Sequence, residues 1–146
     1  MSLRAAIASG RFVVTAEIGP PRGVNPGAIE TAAQRLRGWV DAANVTDNQG
    51  AHVRLSSLAG SVLAARSGVE PVMQLTCRDR NRIALQSDLI SAATLGIPNV
   101  LLLTGDPGLD ALPSIRRTPV DLGLPTVAPR RLTPAVGPTE RSEGVR

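Results

Sequence analysis

The sequence predicts an α/β fold of parallel βα units, on three observations. Short β-branched or apolar runs alternate with longer amphipathic runs between residues 11 and 104, the pattern of strands connected through helices. The strand runs are continuously apolar where a half-exposed strand would alternate, as in Val100-Leu101-Leu102-Leu103, which suits strands covered on both faces. Polar residues recur near the strand ends at almost constant spacing: Glu17, Thr46, Thr76 and Thr104 are 29, 30 and 28 residues apart.

The strands are expected at Phe12–Ile18, Ala42–Thr46, Pro71–Thr76 and Asn99–Thr104. Between the first two, Ile29, Ala33, Leu36 and Val40 recur every three to four residues and share one helical face. Asn25 and Pro26 start that helix as N-cap and first-turn proline. The second amphipathic run carries Leu55, Leu58, Val62 and Ala65 and stops at Gly68, where a left-handed cap fits. The third carries Ile83, Leu89, Ile90 and Ala93 and stops at Gly96. The repeat of about thirty residues places four polar side chains around one end of a parallel sheet. Both β/α barrels and doubly wound sheets bind their ligands there.

After Asp106 the pattern fails. Residues 107–146 hold seven of the twelve prolines and no aromatic residue, and are expected to form an irregular tail. The expected division is therefore a βα domain over 1–106 and a Pro/Arg-rich tail over 107–146.

Composition excludes several function classes. No apolar run has the length of a membrane span, and residues 1–11 lack a signal-peptide core, so a soluble cytoplasmic protein is expected. Cys77 and His52 are the lone residues of their types, which leaves no disulfide and no zinc spacing. The net charge of +4 comes from 16 arginines and no lysine, yet the arginines are scattered and Phe12 and Trp39 are the lone aromatics. Nucleic-acid binding is not expected, because stacking platforms are missing and the tail pairs Arg116-Arg117 and Arg130-Arg131 stand apart among acids.

Glu17 ends an apolar strand and is followed by Gly19-Pro20-Pro21. A partly desolvated carboxyl there can act as a general acid near neutral pH; the plain alternative is a glutamate paired with Arg22. Asp106 follows Gly105 at the fourth strand end, where glycine admits close approach of a ligand and the acid can accept ring N–H groups; a simple Asx turn is the alternative. Thr46-Asp47-Asn48-Gln49-Gly50 and Gln74-Leu75-Thr76-Cys77 supply donors and acceptors suited to the edge of a flat polar ring. Cys77 has no histidine at catalytic spacing and is expected to be buried and structural. Arg78-Asp79-Arg80-Asn81-Arg82 either faces solvent or holds an anionic group, with solvent the favoured expectation.

Taken in order, Thr15-Ala16-Glu17-Ile18-Gly19-Pro20-Pro21, Asn44-Val45-Thr46-Asp47-Asn48, Gln74-Leu75-Thr76-Cys77-Arg78-Asp79-Arg80-Asn81 and Leu103-Thr104-Gly105-Asp106 resemble the methylenetetrahydrofolate reductase family over about residues 11–106. The resemblance implies a parallel, TIM-like β/α barrel, of which four βα units are about half. It implies FAD at the strand ends, hydride from NADH or NADPH, and reduction of 5,10-methylenetetrahydrofolate to 5-methyltetrahydrofolate in one-carbon metabolism. By position, Glu17 resembles the acid that protonates the folate, and Asp106 the acid beside the flavin and pterin rings. Thr46, Gln74, Thr76, Thr104, Gly105 and Asp106 resemble cofactor contacts. The sequence departs from many members at Gln74 and Thr104, where the family often has histidine and arginine. The resemblance further implies a chain competent with a second copy or a complementing chain that supplies the remaining strands. A catalytically silent half-barrel acting as an interaction module is the alternative.

Overall fold

The computed structural model describes residues 1–105. Their elements run α1 (Leu3–Ala8), β1 (Thr15–Ile18), α2 (Pro26–Leu36), β2 (Ala42–Val45), a 3-10 turn (Gln49–Ala51), α3 (Ser57–Arg66), β3 (Pro71–Thr76), α4 (Arg82–Thr94) and β4 (Asn99–Leu103). The four strands form one parallel sheet in chain order, β1-β2-β3-β4, with Glu17 opposite Asn44, Asn44 opposite Val72, and Thr76 opposite Leu103. A doubly wound sheet reverses its strand order at a switch point; no reversal occurs among these four. The arrangement is that of half a TIM-like barrel, as expected. No helix of the described residues is long and apolar enough to cross a membrane.

Alternation along each strand sends one set of side chains toward the helices. Ile18, Ala43 and Val45 pack with Ile29 and Ala33 of α2 and Ala64 of α3 in one buried cluster. Met73, Leu75 and Cys77 pack with Leu85 and Ala92 of α4 in a second. Helix α3 belongs to both, with Leu63 against the first and Leu58 and Val62 against the second. Its closest approach to the sheet is at Gly60, where a Cβ would stand 2.8 Å from Cγ1 of Val45. The absence of a side chain there lets helix and strand meet.

The structure revises several expectations. Helix α1 was not foreseen; Ser2 caps it by accepting from the Ala5 N–H at 3.3 Å, Ala6 is buried, and Glu70 accepts from the Leu3 N–H at 3.0 Å. The first strand begins at Thr15 and not at Phe12, whose side chain is exposed. Asn25 occupies the N-cap position of α2 without a side-chain cap bond, whereas Ser56 and Asn81 cap α3 and α4. The buried face of α3 is Ser57, Gly60, Ser61 and Ala64, and Ala65 is exposed. Ile83, Ile90 and Ala93 of α4 are exposed too, and Leu85 and Ala92 take the core positions. The chain leaves these helices where expected, through Gly68 and Gly96 at φ +86° and +73°.

Candidate functional site at the strand ends

The side chains that alternate with the helix-facing set share the opposite face of the sheet. Near its C-terminal end this face carries Glu17, Asn44, Thr46, Gln74 and Thr76, so the structure brings together four of the residues singled out from the sequence. Glu17 is exposed, so the partial desolvation expected of it is absent. No ion pair joins it to Arg22 among the described residues. Thr46, Gln74 and Thr76 are buried. The Thr46 hydroxyl is buried with no hydrogen-bond partner, an uncommon state for a polar atom. Thr104 lies one residue past β4 and is exposed.

Gly105 has φ +88°, and a Cβ on it would meet Cγ2 of Thr76 at 2.4 Å and Cβ of Arg78 at 3.0 Å. Glycine was expected here to admit a ligand. In the structure the third strand end is what comes close, so both backbone conformation and packing require glycine. Asp106 lies outside the described residues.

Between β2 and α4 stands a network that sequence reasoning missed. Asp47 had been grouped with neutral ring-edge contacts, yet its side chain is fully buried and accepts from the Thr76 N–H at 2.8 Å. The Arg80 guanidinium pairs with Asp47, donates to the Thr76 carbonyl at 3.2 Å and to Asp88 at 2.8 Å. Burial pulls the Arg80 proton affinity down, but the Asp47 and Asp88 carboxylates outweigh it and raise the pKa above the ordinary arginine value. Arg80 therefore neither faces solvent freely nor waits for an anion. One signal was available: an acid follows strand two and a base follows strand three, in neighbouring units of a parallel sheet.

Arg78 donates to Asp79 and to the Asn48 carbonyl, and this pairing holds the Asp79 carboxyl below its usual range. Cys77 is buried, as expected, and burial pushes its thiol up with Arg80 partly offsetting. His52 is exposed. Asn48 and Ala51 both sit at positive φ, 44° and 60°, so the loop after β2 is held in a conformation that residues other than glycine rarely adopt.

The described residues thus present an end-of-sheet face with an exposed carboxyl among neutral amides and hydroxyls, on four sequential parallel strands. The family model for methylenetetrahydrofolate reductase matches residues 2–120. The chain belongs to the methylenetetrahydrofolate reductase family. The match includes α1 and all four strands with the helices between them, and it extends to residue 120, beyond the 11–106 that carry the motifs. No curated protein matches the chain. Membership carries a methylenetetrahydrofolate reductase-type oxidoreductase function; the family in general is flavin-dependent and works on a folate with a nicotinamide reductant.

Proposed function

We propose that this methylenetetrahydrofolate reductase family chain takes part in the FAD-dependent reduction of 5,10-methylenetetrahydrofolate to 5-methyltetrahydrofolate by NADH or NADPH, with Glu17 as the acid. The observation that carries this reading is the strand-end face itself, where Glu17 presents an exposed carboxyl and its described neighbours on that face, Asn44, Thr46, Gln74 and Thr76, are neutral. A neutral lining suits the polar edge of an isoalloxazine ring, and the orphaned Thr46 hydroxyl fits a site whose polar partner is a ligand. Thr46, Gln74, Thr76, Thr104, Gly105 and Asp106 are the residues that would hold FAD, with Asp106 at the family position beside the flavin and pterin rings. When bound, FAD supplies a two-electron relay between the nicotinamide and the methylene carbon.

Glu17 stands as the group that would give a proton to the folate nitrogen whose bond to the methylene carbon breaks. The remaining nitrogen then shares an iminium with that carbon, which accepts hydride and becomes the methyl group. Exposure of Glu17 leaves it open to a substrate. Further strands would complete the barrel around this face.

The two half-reactions test the assignment. Glu17→Gln leaves flavin reduction by NADH or NADPH nearly intact, since that hydride transfer needs no proton from Glu17, and slows reoxidation by methylenetetrahydrofolate by about 10²- to 10⁴-fold. Equal loss in both steps, followed by stopped-flow absorbance with any complementing chain present, makes Glu17 structural. Asp106→Asn alters both steps if Asp106 tunes the flavin.

A further inference from the structure

Where one strand of a sheet stops before its neighbour, the backbone groups left over need another match. The β2–β3 ladder closes at Val45 opposite Met73, whereas β3 continues to Thr76 beside β4. Past that point Asp47 takes over the part of the missing strand. Its carboxylate accepts from the Thr76 N–H at 2.8 Å, and its backbone carbonyl accepts from the Thr76 hydroxyl at 3.4 Å. Arg80, paired with the same carboxylate, donates to the Thr76 carbonyl at 3.2 Å. Both backbone groups of Thr76 and its side chain thus end on Asp47 and Arg80.

The two clamping residues are themselves held. Asn48, next to Asp47, accepts from the Arg54 N–H through its side chain and from Arg78 through its carbonyl, each at 3.0 Å. Arg80 is anchored on its other side by Asp88 at 2.8 Å. A buried ion pair adds little net stability over apolar residues of similar volume, so stability alone does not account for this one. What the pair fixes is a position. Thr76 is pressed against Gly105 at the fourth strand end, where a Cβ would stand 2.4 Å from its Cγ2. Thr46, adjacent to Asp47 in the chain, is tied to the first strand end by donating its N–H to the Ile18 carbonyl at 3.1 Å. The clamp therefore sets the third and fourth strand ends relative to the first and second.

We propose that Asp47 and Arg80 are positioning residues for the flavin ring, holding Thr76 at a fixed separation from the buried, unpartnered hydroxyl of Thr46. The inference rests on the assignment of Thr46 and Thr76 as flavin contacts under the proposed function. Asp47 and Arg80 bond to one another, to Thr76 and to Asp88, so they act through Thr76 and not on the ligand. A site set before its ligand arrives loses less freedom on binding, and slack in a supporting group costs affinity.

The test uses the full chain and FAD as the probe, titrated by the change in its visible absorbance at a temperature where circular dichroism shows each variant folded. Asp47→Ala removes the acceptor of the Thr76 N–H and leaves Arg80 with Asp88, whereas Asp47→Asn keeps an oxygen for that N–H. Asp47→Ala is expected to weaken FAD binding about 10- to 100-fold, the range found when groups that orient metal ligands are removed, and Asp47→Asn to bind close to the parent chain. The Thr76 amide should lose protection from hydrogen exchange in Asp47→Ala and keep it in Asp47→Asn. Asp41→Asn weakens the fold at the opposite end of the sheet and is expected to bind FAD like the parent. Asp47→Asn combined with Arg80→Met buries no charge at position 47 but frees the Thr76 carbonyl; it should bind more weakly than Asp47→Asn alone, and it decides the matter if Asp47→Ala does not fold. The positioning role is overturned, with the reductase reading intact, if the parent binds FAD and Asp47→Ala and the double variant bind it as tightly, or if Asp41→Asn loses as much affinity as they do. A parent chain that leaves the FAD spectrum unchanged overturns the reductase reading and this inference with it.

Discussion

Replacing Arg80 with methionine keeps the length of its apolar stem and removes the charge that faces Asp47. The Asp47 side chain is fully buried, and without Arg80 it keeps a single bond, from the Thr76 N–H. Breaking a buried pair from one side typically costs about 3–5 kcal/mol because a charge remains without compensation. The surviving N–H bond places Arg80→Met near the low end, at about 3 kcal/mol. Asp88 adds little, since it is about one-third exposed and water replaces its partner. Asp47→Asn is the milder change: an amide oxygen still accepts from Thr76, and Arg80 still reaches Asp88 and the Thr76 carbonyl, for a loss of about 1–2 kcal/mol. The double variant has no buried charge left at position 47 and should be more stable than Arg80→Met alone. Urea unfolding followed by circular dichroism measures all three. An Arg80→Met loss under about 1 kcal/mol, or a double variant as unstable as the two single losses added together, refutes the claim that an uncompensated Asp47 dominates.

Gly60→Ala places a methyl group 2.8 Å from Cγ1 of the buried Val45, and the overpacking, about 1–3 kcal/mol, should exceed the gain of up to about 1 kcal/mol in helix propensity. A raised melting temperature would show that α3 can shift outward freely. Asp41 pairs with Arg11 and accepts from the Val14 N–H, and both lower its pKa; that stability is present above the ordinary carboxylate pKa and is lost as pH falls through the lowered one. Asp41→Asn should therefore narrow its stability gap to the parent chain as the solution becomes acidic, in thermal melts recorded from neutral to acid pH. Both outer strands lack a partner among the described residues, and Phe12, Val14, Ile83, Ile90 and Leu101 are exposed near those edges, so sedimentation velocity should show association at micromolar concentration. A monomer that unfolds cooperatively would count against open edges.

Strand positions were legible because parallel strands write continuous apolar runs, as in Pro71–Thr76, buried throughout, and Val100-Leu101-Leu102-Leu103, which is only half-buried with Leu101 exposed. Helix faces were harder. A helix wedged between a sheet and a neighbour buries its small residues at closest approach, so Ser57, Gly60, Ser61 and Ala64 of α3 lie deeper than Leu58 and Val62, and counting large apolar residues misses the face. In α4 the same counting selects Ile83 and Ile90, which nothing among the described residues covers. Within the site, the thirty-residue repeat brought Thr46 and Thr76 to one sheet end. The Asp47–Arg80 pair depends on how two loops fold back, which an acid after strand two and a base after strand three do not by themselves specify.

Glu70 sits at the opposite end of the sheet from the candidate site, accepting from the Leu3 N–H and from the side chain of Asn99. Helix α1 is thus stitched to the beginnings of β3 and β4 through the N–H of its first residue, Leu3. For anyone handling this protein the placement of an affinity tag becomes a structural choice. A fusion joined directly to Ser2 crowds the cap and the Leu3 anchor, and its damage would register as poor yield or a lower melting temperature, with the candidate site at the far rim untouched. A tag carried at the other terminus leaves that stitch intact, so comparing the two products separates folding defects from defects in chemistry before any active-site variant is made.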